Sequence, residues 1–261
     1  MYDLSALDAA LAGTIFGGKL HFSATTGSTN TDALTSGREG APHGSVFFSD
    51  EQTAGRGRGD HKWQSHAGEG LYASVLLRPH MVVEDLPFVP LLAGIAATKA
   101  VFKSAGLSVD LRWPNDLLIG ERKCGGILVE SKTERGQLAY VVIGIGINVH
   151  QGGFDPDLST PATSLDLEAR REISRQALLI ALLESLQDET STLHDRAVLR
   201  AVPAQVAQMS TWLWNRRVEV HGPQACVGMT RGLDANGFLL VQTGEGIVTV
   251  QTGGIRDASA D

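Results

Sequence analysis

Hydrophobic and polar residues alternate along the first half of the chain in a pattern that predicts strands separated by a few helices. Leu4 to Leu11 has helical spacing, and Gly13 favours a helix end just after it. The next apolar segments are rich in β-branched and aromatic residues and predict strands. They are KLHFSATT from Lys19, GSVFFSDEQ from Gly44 and GLYASVLLRP from Gly70. The stretch between the last two is therefore expected to connect two strands.

The middle of the chain predicts one long buried helix and further strands. Leu86 to Ala105 is mostly apolar, with Pro90 in the expected first turn and Gly106 as the stop. VDLRWPNDLLI predicts strand, turn and strand, since proline keeps its predecessor extended and Asn-Asp favours a turn. KCGGILVES and AYVVIGIGINV predict two more strands, and an amphipathic helix is expected from Glu172 to about Leu186, covering the sheet.

Beyond about Trp212 the pattern changes to short strands separated by turn residues. Asn236-Gly237 is a strong hairpin signal. The segment predicts a small β-barrel of roughly 45–50 residues, near the lower size limit of an independent domain. We therefore expect an α+β fold with a mixed or antiparallel sheet flanked by helices over residues 1–212, and a small β-barrel domain over residues 213–261.

Composition narrows the class of protein. A chain of 261 residues with 43% hydrophobic content can bury one large core and a small appended module. The formal net charge of -7 argues against a broad nucleic-acid or membrane footprint. Cys124 and Cys226 are far apart and the histidines show no ligand spacing, so no disulfide framework or transition-metal centre is expected. No apolar run approaches the ~18 residues that span a bilayer. A reducing cytoplasm fits these features best.

Three segments match nucleotide-binding motifs only in part. GTIFGGKL matches a phosphate-binding loop as far as Lys19, but Leu20 follows where a hydroxyl residue is needed for magnesium. GIGIN lacks the third glycine of a dinucleotide fingerprint, and GRGRGD is not followed by a helix. Neither a P-loop nor a Rossmann site is therefore expected.

The segment TAGRGRGDHKW, residues 53–63, is the strongest candidate for an anion site. Its glycines free the backbone to approach a ligand, while Arg56 and Arg58 supply planar, permanently charged donors. On composition alone, a merely solvated surface connection is an equally good interpretation. Lys123 adds a second positive group before two glycines and an apolar strand, although a solvated hairpin lysine is the alternative.

Other residues have two interpretations each. Trp63 and Trp113 are typical of core or edge aromatics, and they can also wall a pocket. STN at 28–30 fits a helix cap before TDAL, and its hydroxyls can also bind a polar ligand group. WPND fits a tight turn, while Asp116 in it offers a carboxylate near the proposed cations, which suggests catalysis.

Five of these segments occur in an order that is typical of one protein family. STN, EQTAGRGRGDHKW, RWPND, KCGGIL and GIGINV resemble the catalytic domain of biotin protein ligases, a class II synthetase-like fold, and the terminal β module resembles their SH3-like C-terminal domain. The resemblance implies a reaction in which biotin and ATP form biotinyl-5′-AMP and pyrophosphate. The acyl group then passes to a lysine of a biotin carboxyl carrier protein of a biotin-dependent carboxylase. Mg²⁺ is expected to accompany ATP, mostly through phosphates and water.

The resemblance also implies site residues. The catalytic group comprises Arg56, Arg58, Lys123 and Asp116, where Asp116 aids the acceptor lysine or organises the nucleotide. The expected biotin-binding residues are Ser28, Thr29, Asn30, Gln52, Gly55, Arg56, Lys123, Gly144 and Ile147. The expected ATP- or adenylate-binding residues are Arg56, Arg58, Gly59, Trp63, Asn115, Lys123, Asn148 and Arg256. For Arg256 an exposed tail arginine is an equally good interpretation.

The chain departs from the family pattern in three places. Gly59, Asp60 and His61 stand where further arginine is common, and Arg112 replaces the usual lysine before WPND. The chain begins almost directly with the ligase region, so we expect no operator binding. The resemblance leaves a homodimer open. Two alternatives remain: a lipoate-type ligase on the same architecture, and a non-enzymatic biotin- or nucleotide-binding regulator.

Overall fold

A seven-stranded mixed sheet forms the centre of the larger part of the protein. The computed structural model describes residues 2–59 and 61–258. The strand order is β1-β2-β3-β7-β6-β5-β4, with β1 and β2 parallel and every other neighbouring pair antiparallel. The strands are β1 (Leu20–Thr26), β2 (Ser45–Gln52), β3 (Gly70–Leu77), β4 (Asp110–Arg112), β5 (Asp116–Ile119), β6 (Arg122–Glu134) and β7 (Gln137–Asn148).

Helices cover both faces of this sheet. A single 3₁₀ turn, Val83–Asp85, precedes the longest helix. The α-helices among the described residues are α1 (Leu4–Leu11), α2 (Thr29–Arg38), α3 (Phe88–Ala105), α4 (Leu165–Ala169), α5 (Arg175–Thr190), α6 (Arg196–Leu199) and α7 (Val202–Met209). The main hydrophobic core lies between one face of the sheet and helices α1, α3 and α5, whereas a small second cluster lies between the other face and α2.

The two-residue period of strand β3 explains these two cores. Leu71, Ala73, Val75 and Leu77 enter the main core, while the intervening residues turn toward the α2 face. Since both faces of β3 are covered, its whole length is buried. Helix α3 is long and apolar enough to span a membrane by length and composition, but 67% of it is buried inside the protein. It packs as a core helix against α5.

The predicted α3 is confirmed, and its ends follow local chemistry. The helix begins at Phe88 with Pro90 in its first turn, and Gly106 takes a left-handed φ of 71° at its end. The helix expected at 172–186 runs from 175 to 190 in the structure, because the Ser174 hydroxyl caps its first turn by accepting from Ala177 N–H. Helices α4, α6 and α7 were not predicted; two of them have only five and four residues, too short for a clear period.

The C-terminal residues form a five-stranded antiparallel sheet of order β11-β10-β9-β8-β12. Its strands are β8 (Trp214–His221), β9 (Cys226–Leu233), β10 (Leu239–Thr243), β11 (Gly246–Val250) and β12 (Gly254–Asp257). The expected all-β unit and its turn at Asn236-Gly237 are confirmed, while the exact boundary between 212 and 213 stays a prediction. The unit packs on the larger part, where the Trp113 indole donates to the Gly237 carbonyl at 3.2 Å.

Candidate functional site

Glycines form a flat floor on the α2 face of the central sheet. Gly126 and Gly146 are register partners on β6 and β7, and Gly144 lies two residues along. A Cβ atom at Gly146 would stand 2.6 Å from the indole of Trp63, and one at Gly126 would stand 3.4 Å from the same ring. The absence of side chains at these positions therefore lets an aromatic plane lie directly on the backbone. Such a floor suits a flat ring.

The glycine-arginine segment connects β2 to β3, as predicted, and it forms a short hairpin above this floor. Gly57 N–H donates to the His61 carbonyl at 2.7 Å, and Trp63 N–H donates to the Gly55 carbonyl at 3.0 Å. Gly59, expected near ATP, has a left-handed φ of 64° close to the tip. Asp60, one of the departures from the family pattern, lies outside the described residues. The two arginines of the hairpin point in different directions: Arg56 points to β6 and Arg58 points to the C-terminal sheet.

A buried hydrogen-bond chain runs from the start of α2 across the sheet. Thr29 N–H donates to Gln52 Oε1 at 2.9 Å, and the Thr29 hydroxyl lies 2.7 Å from the Ser74 hydroxyl. Ser74 in turn donates to Asn30 Oδ1 at 2.6 Å. At the other end, Gln52 Nε2 donates to the Ser65 hydroxyl at 2.8 Å. The chain fixes these polar groups beneath the hairpin, so the structure brings together three of the expected biotin residues.

Asn30 connects this chain to the first arginine of the hairpin. Its side-chain nitrogen donates to Glu130 Oε2 at 2.9 Å, and the same carboxylate oxygen forms an ion pair with Arg56 Nη2. Glu130 was not predicted as a site residue. Its signal in the sequence is the two-residue period of GGILVE, which places it on the same face as Gly126. Ser74, also missed, is a serine within a strand of mostly apolar residues.

A second group of charges lies where β5 meets β6. Lys123 Nζ forms an ion pair with Asp116 Oδ1, and Arg112 donates to Asp116 Oδ2 through Nε at 3.0 Å and Nη2 at 2.6 Å. Burial alone would raise the pKa of Asp116, but the charges and hydrogen bonds of Lys123 and Arg112 outweigh it and hold that pKa below its ordinary value. Asp116 is therefore ionised at neutral pH. It orients the lysine, whose ammonium lies 5.6 Å from the centre of the Trp63 ring.

The second arginine of the hairpin reaches the C-terminal sheet. Arg58 Nη2 donates to the Thr252 hydroxyl at 2.7 Å, and Nη1 donates to the Gly253 carbonyl. Burial lowers the pKa of Arg58, and the Asp116 carboxylate opposes this. Arg256, expected near the ATP phosphates, is exposed on β12 opposite Glu219, and no hydrogen bond or ion pair joins it to the described site residues. The structure thus brings Arg58 and the segment before β12 together.

The remaining expected residues divide by where their side chains point. Ser28 is buried at the N-cap position of α2, yet its side chain makes no capping hydrogen bond. Asn115 donates to the Ile127 carbonyl at 2.7 Å, and Asn148 donates to the Thr163 carbonyl at 3.1 Å. Ile147 lies fully buried in the main core, on the side of the sheet away from the hairpin. Only the backbone of Ile147 can therefore contribute to the site.

Two buried polar atoms on this face have no partner among the described residues. They are Trp63 Nε1 and the Ser49 hydroxyl. Both are hydrogen-bonding groups that the described residues leave unused.

The described residues offer no built metal cage. Among them, no group of three or more His, Cys, Asp or Glu is arranged to hold a metal ion. Mg²⁺ is usually held by one or two carboxylates together with water and substrate phosphates.

Family models match both parts of the chain. Residues 22–148 match the Biotin/lipoate A/B protein ligase family. Residues 214–255 match the Biotin protein ligase C terminal domain. The first match contains the hairpin, the glycine floor and both groups of charges. The second contains Thr252 and Gly253, the two partners of Arg58.

Relatives and solved structures agree with these matches. The chain is 34% identical over 245 residues to a biotin--[acetyl-CoA-carboxylase] ligase of Mycobacterium tuberculosis, covering 89% of this chain and 86% of the relative. It is 33% identical over 234 residues to a bifunctional ligase/repressor BirA of Bacillus subtilis, covering 88% and 71%. A biotin protein ligase from Aquifex aeolicus, solved in complex with biotin and ATP, aligns with a TM-score of 0.79, 26% identity, and coverage of 92% and 98%.

Proposed function

The chain belongs to the biotin protein ligase family, and on this premise we propose how its residues carry out ATP-dependent biotinylation. In the first step a biotin carboxylate oxygen attacks the α-phosphorus of ATP. Biotinyl-5′-AMP forms and pyrophosphate leaves. In the second step the ε-amine of a carrier lysine attacks the acyl carbon, an amide bond forms, and AMP leaves. The carrier is a biotin carboxyl carrier protein of a biotin-dependent carboxylase such as acetyl-CoA carboxylase.

One observation carries the proposal: Lys123 is held by Asp116 beside Trp63 and the glycine floor. The first step brings a carboxylate and a triphosphate together, so it needs cations at fixed positions. A lysine that a carboxylate already orients costs little reorganisation when the substrates arrive. Lys123 and Arg56 supply this charge, and Arg58 completes it.

The hydrogen-bond chain beneath the hairpin suits the polar part of biotin. Thr29 and Asn30 are buried and Gln52 is half-buried, and these fixed residues present hydroxyl and amide groups of both donor and acceptor type. Ser28 adds a hydroxyl without a capping bond, and the missing side chains of Gly55 and Gly144 let the Trp63 carbonyl and the Asn30 amide pack against the backbone. The ring of biotin then lies on this side and its carboxylate points to Lys123.

The adenylate lies on the other side of the site. Trp63, Gly59, Asn115 and Asn148 surround it, and Arg256 approaches only if the C-terminal sheet or its side chain moves. ATP enters with its Mg²⁺, which we treat as part of the substrate, because the described residues hold no cage for it.

Asp116 organises the cations in this proposal. Its pKa lies below the ordinary value and both of its oxygens are occupied by Lys123 and Arg112, so it is a poor base for the acceptor lysine. Of its two expected roles, organising the nucleotide side is favoured. Arg112 keeps the charge of the family's usual lysine and adds a two-donor grip on one carboxylate oxygen.

The hairpin also protects the product of the first step. A mixed anhydride hydrolyses in water, and a glycine-rich segment that closes over it excludes water until the carrier arrives.

Net charge and composition favour a cytoplasmic protein without DNA or membrane partners. A lipoate-type activity is not favoured, because the relatives and the aligned structures that we report are biotin ligases.

The proposal is tested by incubating the protein with biotin, MgATP and an apo carrier domain. Mass spectrometry should show one biotinyl adduct on the carrier lysine, and pyrophosphate should be released in equal amount. Lipoate in place of biotin is expected to give neither product. Tight binding of biotin or ATP without pyrophosphate release would instead support a non-enzymatic regulator and contradict the proposal.

A further inference from the structure

Glu130 is a negatively charged residue at a site whose proposed substrates are also negatively charged. It lies on β6, and its side chain points to the same face as Gly126 and the hairpin. The single carboxylate of biotin and the phosphates of ATP are repelled by such a group at close range. A carboxylate kept in this position therefore needs a function.

The contacts of Glu130 show what it does in the absence of substrate. Its Oε2 atom is shared by Arg56, the first arginine of the hairpin, and by the side-chain amide of Asn30 in the first turn of α2. Asn30 continues through Ser74, Thr29 and Gln52 to Ser65 at the far end of the hairpin, so one hydrogen-bond chain fastens both ends of the segment.

The two halves of this chain differ in exposure. The side chains of Arg56 and Glu130 are 42% and 26% exposed, whereas Asn30 and Ser74 are buried. Partly exposed ion pairs contribute little and are weakened by salt. The bond to Asn30 therefore keeps Glu130 in place, while the bond to Arg56 is the one that a substrate can break.

We propose that Glu130 is a positioning residue that holds Arg56 in the free enzyme and yields it to the adenylate. This inference rests on the proposed function, since Arg56 must have an anionic substrate to move to. Binding then requires the exchange of one carboxylate for another, and the affinity is lowered by the fraction of molecules in which Glu130 holds Arg56. The exchange also returns the hairpin to its anchored state when product leaves.

The test compares Glu130→Gln with Glu134→Gln, which removes the same charge from an exposed position at the end of the same strand. Calorimetry measures the affinity for a non-hydrolysable analogue of the adenylate. For Glu130→Gln we expect binding tighter by about twofold to fivefold, the range that a partly exposed pair permits, with kcat within about twofold. At about 1 M salt, where the Debye length falls to about 3 Å, this difference should disappear.

A second measurement, limited digestion by trypsin, tests how firmly the hairpin is held in the absence of substrate. Trypsin is expected to cleave after Arg56 faster in Glu130→Gln than in the unaltered protein or in Glu134→Gln, and the analogue should abolish the difference. Equal cleavage rates and equal affinities would overturn the role of Glu130 while the unaltered protein still biotinylates its carrier. Weaker binding in Glu130→Gln that persists in high salt would overturn it too, since it indicates a purely structural role. Failure of the unaltered protein to form the adenylate is a different result and contradicts the proposed function.

Discussion

Asn30 and Glu130 join the first turn of α2 to strand β6 across a separation of 100 residues, with Nδ2 and Oε2 2.9 Å apart. The same oxygen holds Arg56, so a helix end, a strand and the glycine-rich hairpin meet at one carboxylate. The geometry makes the position of the hairpin depend on groups that lie outside it. Changes at those groups are therefore informative.

Replacing Lys123 by Ala removes the cation that Asp116 orients. We expect the rate of adenylate formation to fall by about 10²-fold to 10³-fold, as for other fixed groups that stabilise developing charge. Pyrophosphate release from biotin and MgATP measures it. Lys132→Ala, an exposed lysine on the same strand, is the matched control and should be unaffected. Turnover of Lys123→Ala near that of the unaltered protein would contradict the assigned role.

Replacing Gly146 by Ala tests the floor of the site. The new methyl group would stand 2.6 Å from the Trp63 indole and must displace it. Overpacking of this kind costs about 1–3 kcal/mol, so we expect affinity for the adenylate analogue to fall by about tenfold or more. Gly152→Ala adds a methyl group in open space and serves as the control. Unchanged affinity in Gly146→Ala would show that the floor need not be flat.

Removing the Ser74 hydroxyl tests whether the buried hydrogen-bond chain stabilises the folded protein. In Ser74→Ala the Oδ1 atom of Asn30 loses its donor in a buried position, which should reduce the free energy of unfolding by about 1–3 kcal/mol. Urea titration measures this change. Ser131→Ala, at an exposed position on β6, is the control and should change stability by less than about 0.5 kcal/mol. Equal effects of the two changes would count against the chain.

The contact of Arg58 with the C-terminal sheet predicts that this sheet helps to retain the intermediate. Thr252→Val removes one hydrogen bond to a charged donor on the hairpin. Because the contact is exposed, we expect release of biotinyl-AMP to accelerate only by about twofold to fivefold. A chase experiment with excess unlabelled biotin measures the release. Thr249→Val, at an exposed position on β11, should release the intermediate at the unaltered rate.

Asp116 predicts a pH dependence of stability with a definite sign. Its pKa in the folded protein lies below the unfolded value of about 3.9. Its stabilising contribution is therefore complete above the unfolded pKa and is lost as pH falls through the folded pKa. Asp116→Asn should lower the free energy of unfolding at neutral pH, and the difference from the unaltered protein should shrink below about pH 4. A difference that stays constant on acidification would contradict the ion pairing.

The regular elements were largely predictable because their signals are local. Segments rich in β-branched, aromatic and aliphatic residues marked the strands of the central sheet, and Pro90 and Gly106 marked the first turn and the end of α3. Short helices such as Arg196–Leu199 were missed, since a single turn shows no period. The start of α5 was predicted three residues too early, because Glu172 and Ile173 fit the helical pattern whereas the cap is the Ser174 hydroxyl.

The candidate site was predictable only in part. Glycines and cations of the hairpin, and the cations and carboxylate of β5 and β6, are visible as residue types in the sequence. Ile147 was expected at the site from its motif, but the two-residue period of β7 turns its side chain into the core. Glu130 was missed because a single acidic residue after a short apolar run is also typical of a solvated position on a strand.

The sequence by itself determined the strands and helices with clear periods, the glycine-arginine connection between two strands and the five segments that mark the family. Only the tertiary structure decided the partners of the charges. Arg56 meets Glu130 at a separation of 74 residues, and Arg58 meets Gly253 at a separation of 195. Propensity and periodicity act over a few neighbouring residues, whereas such pairs are set by sheet order and by the packing of the C-terminal strands on the larger part of the fold.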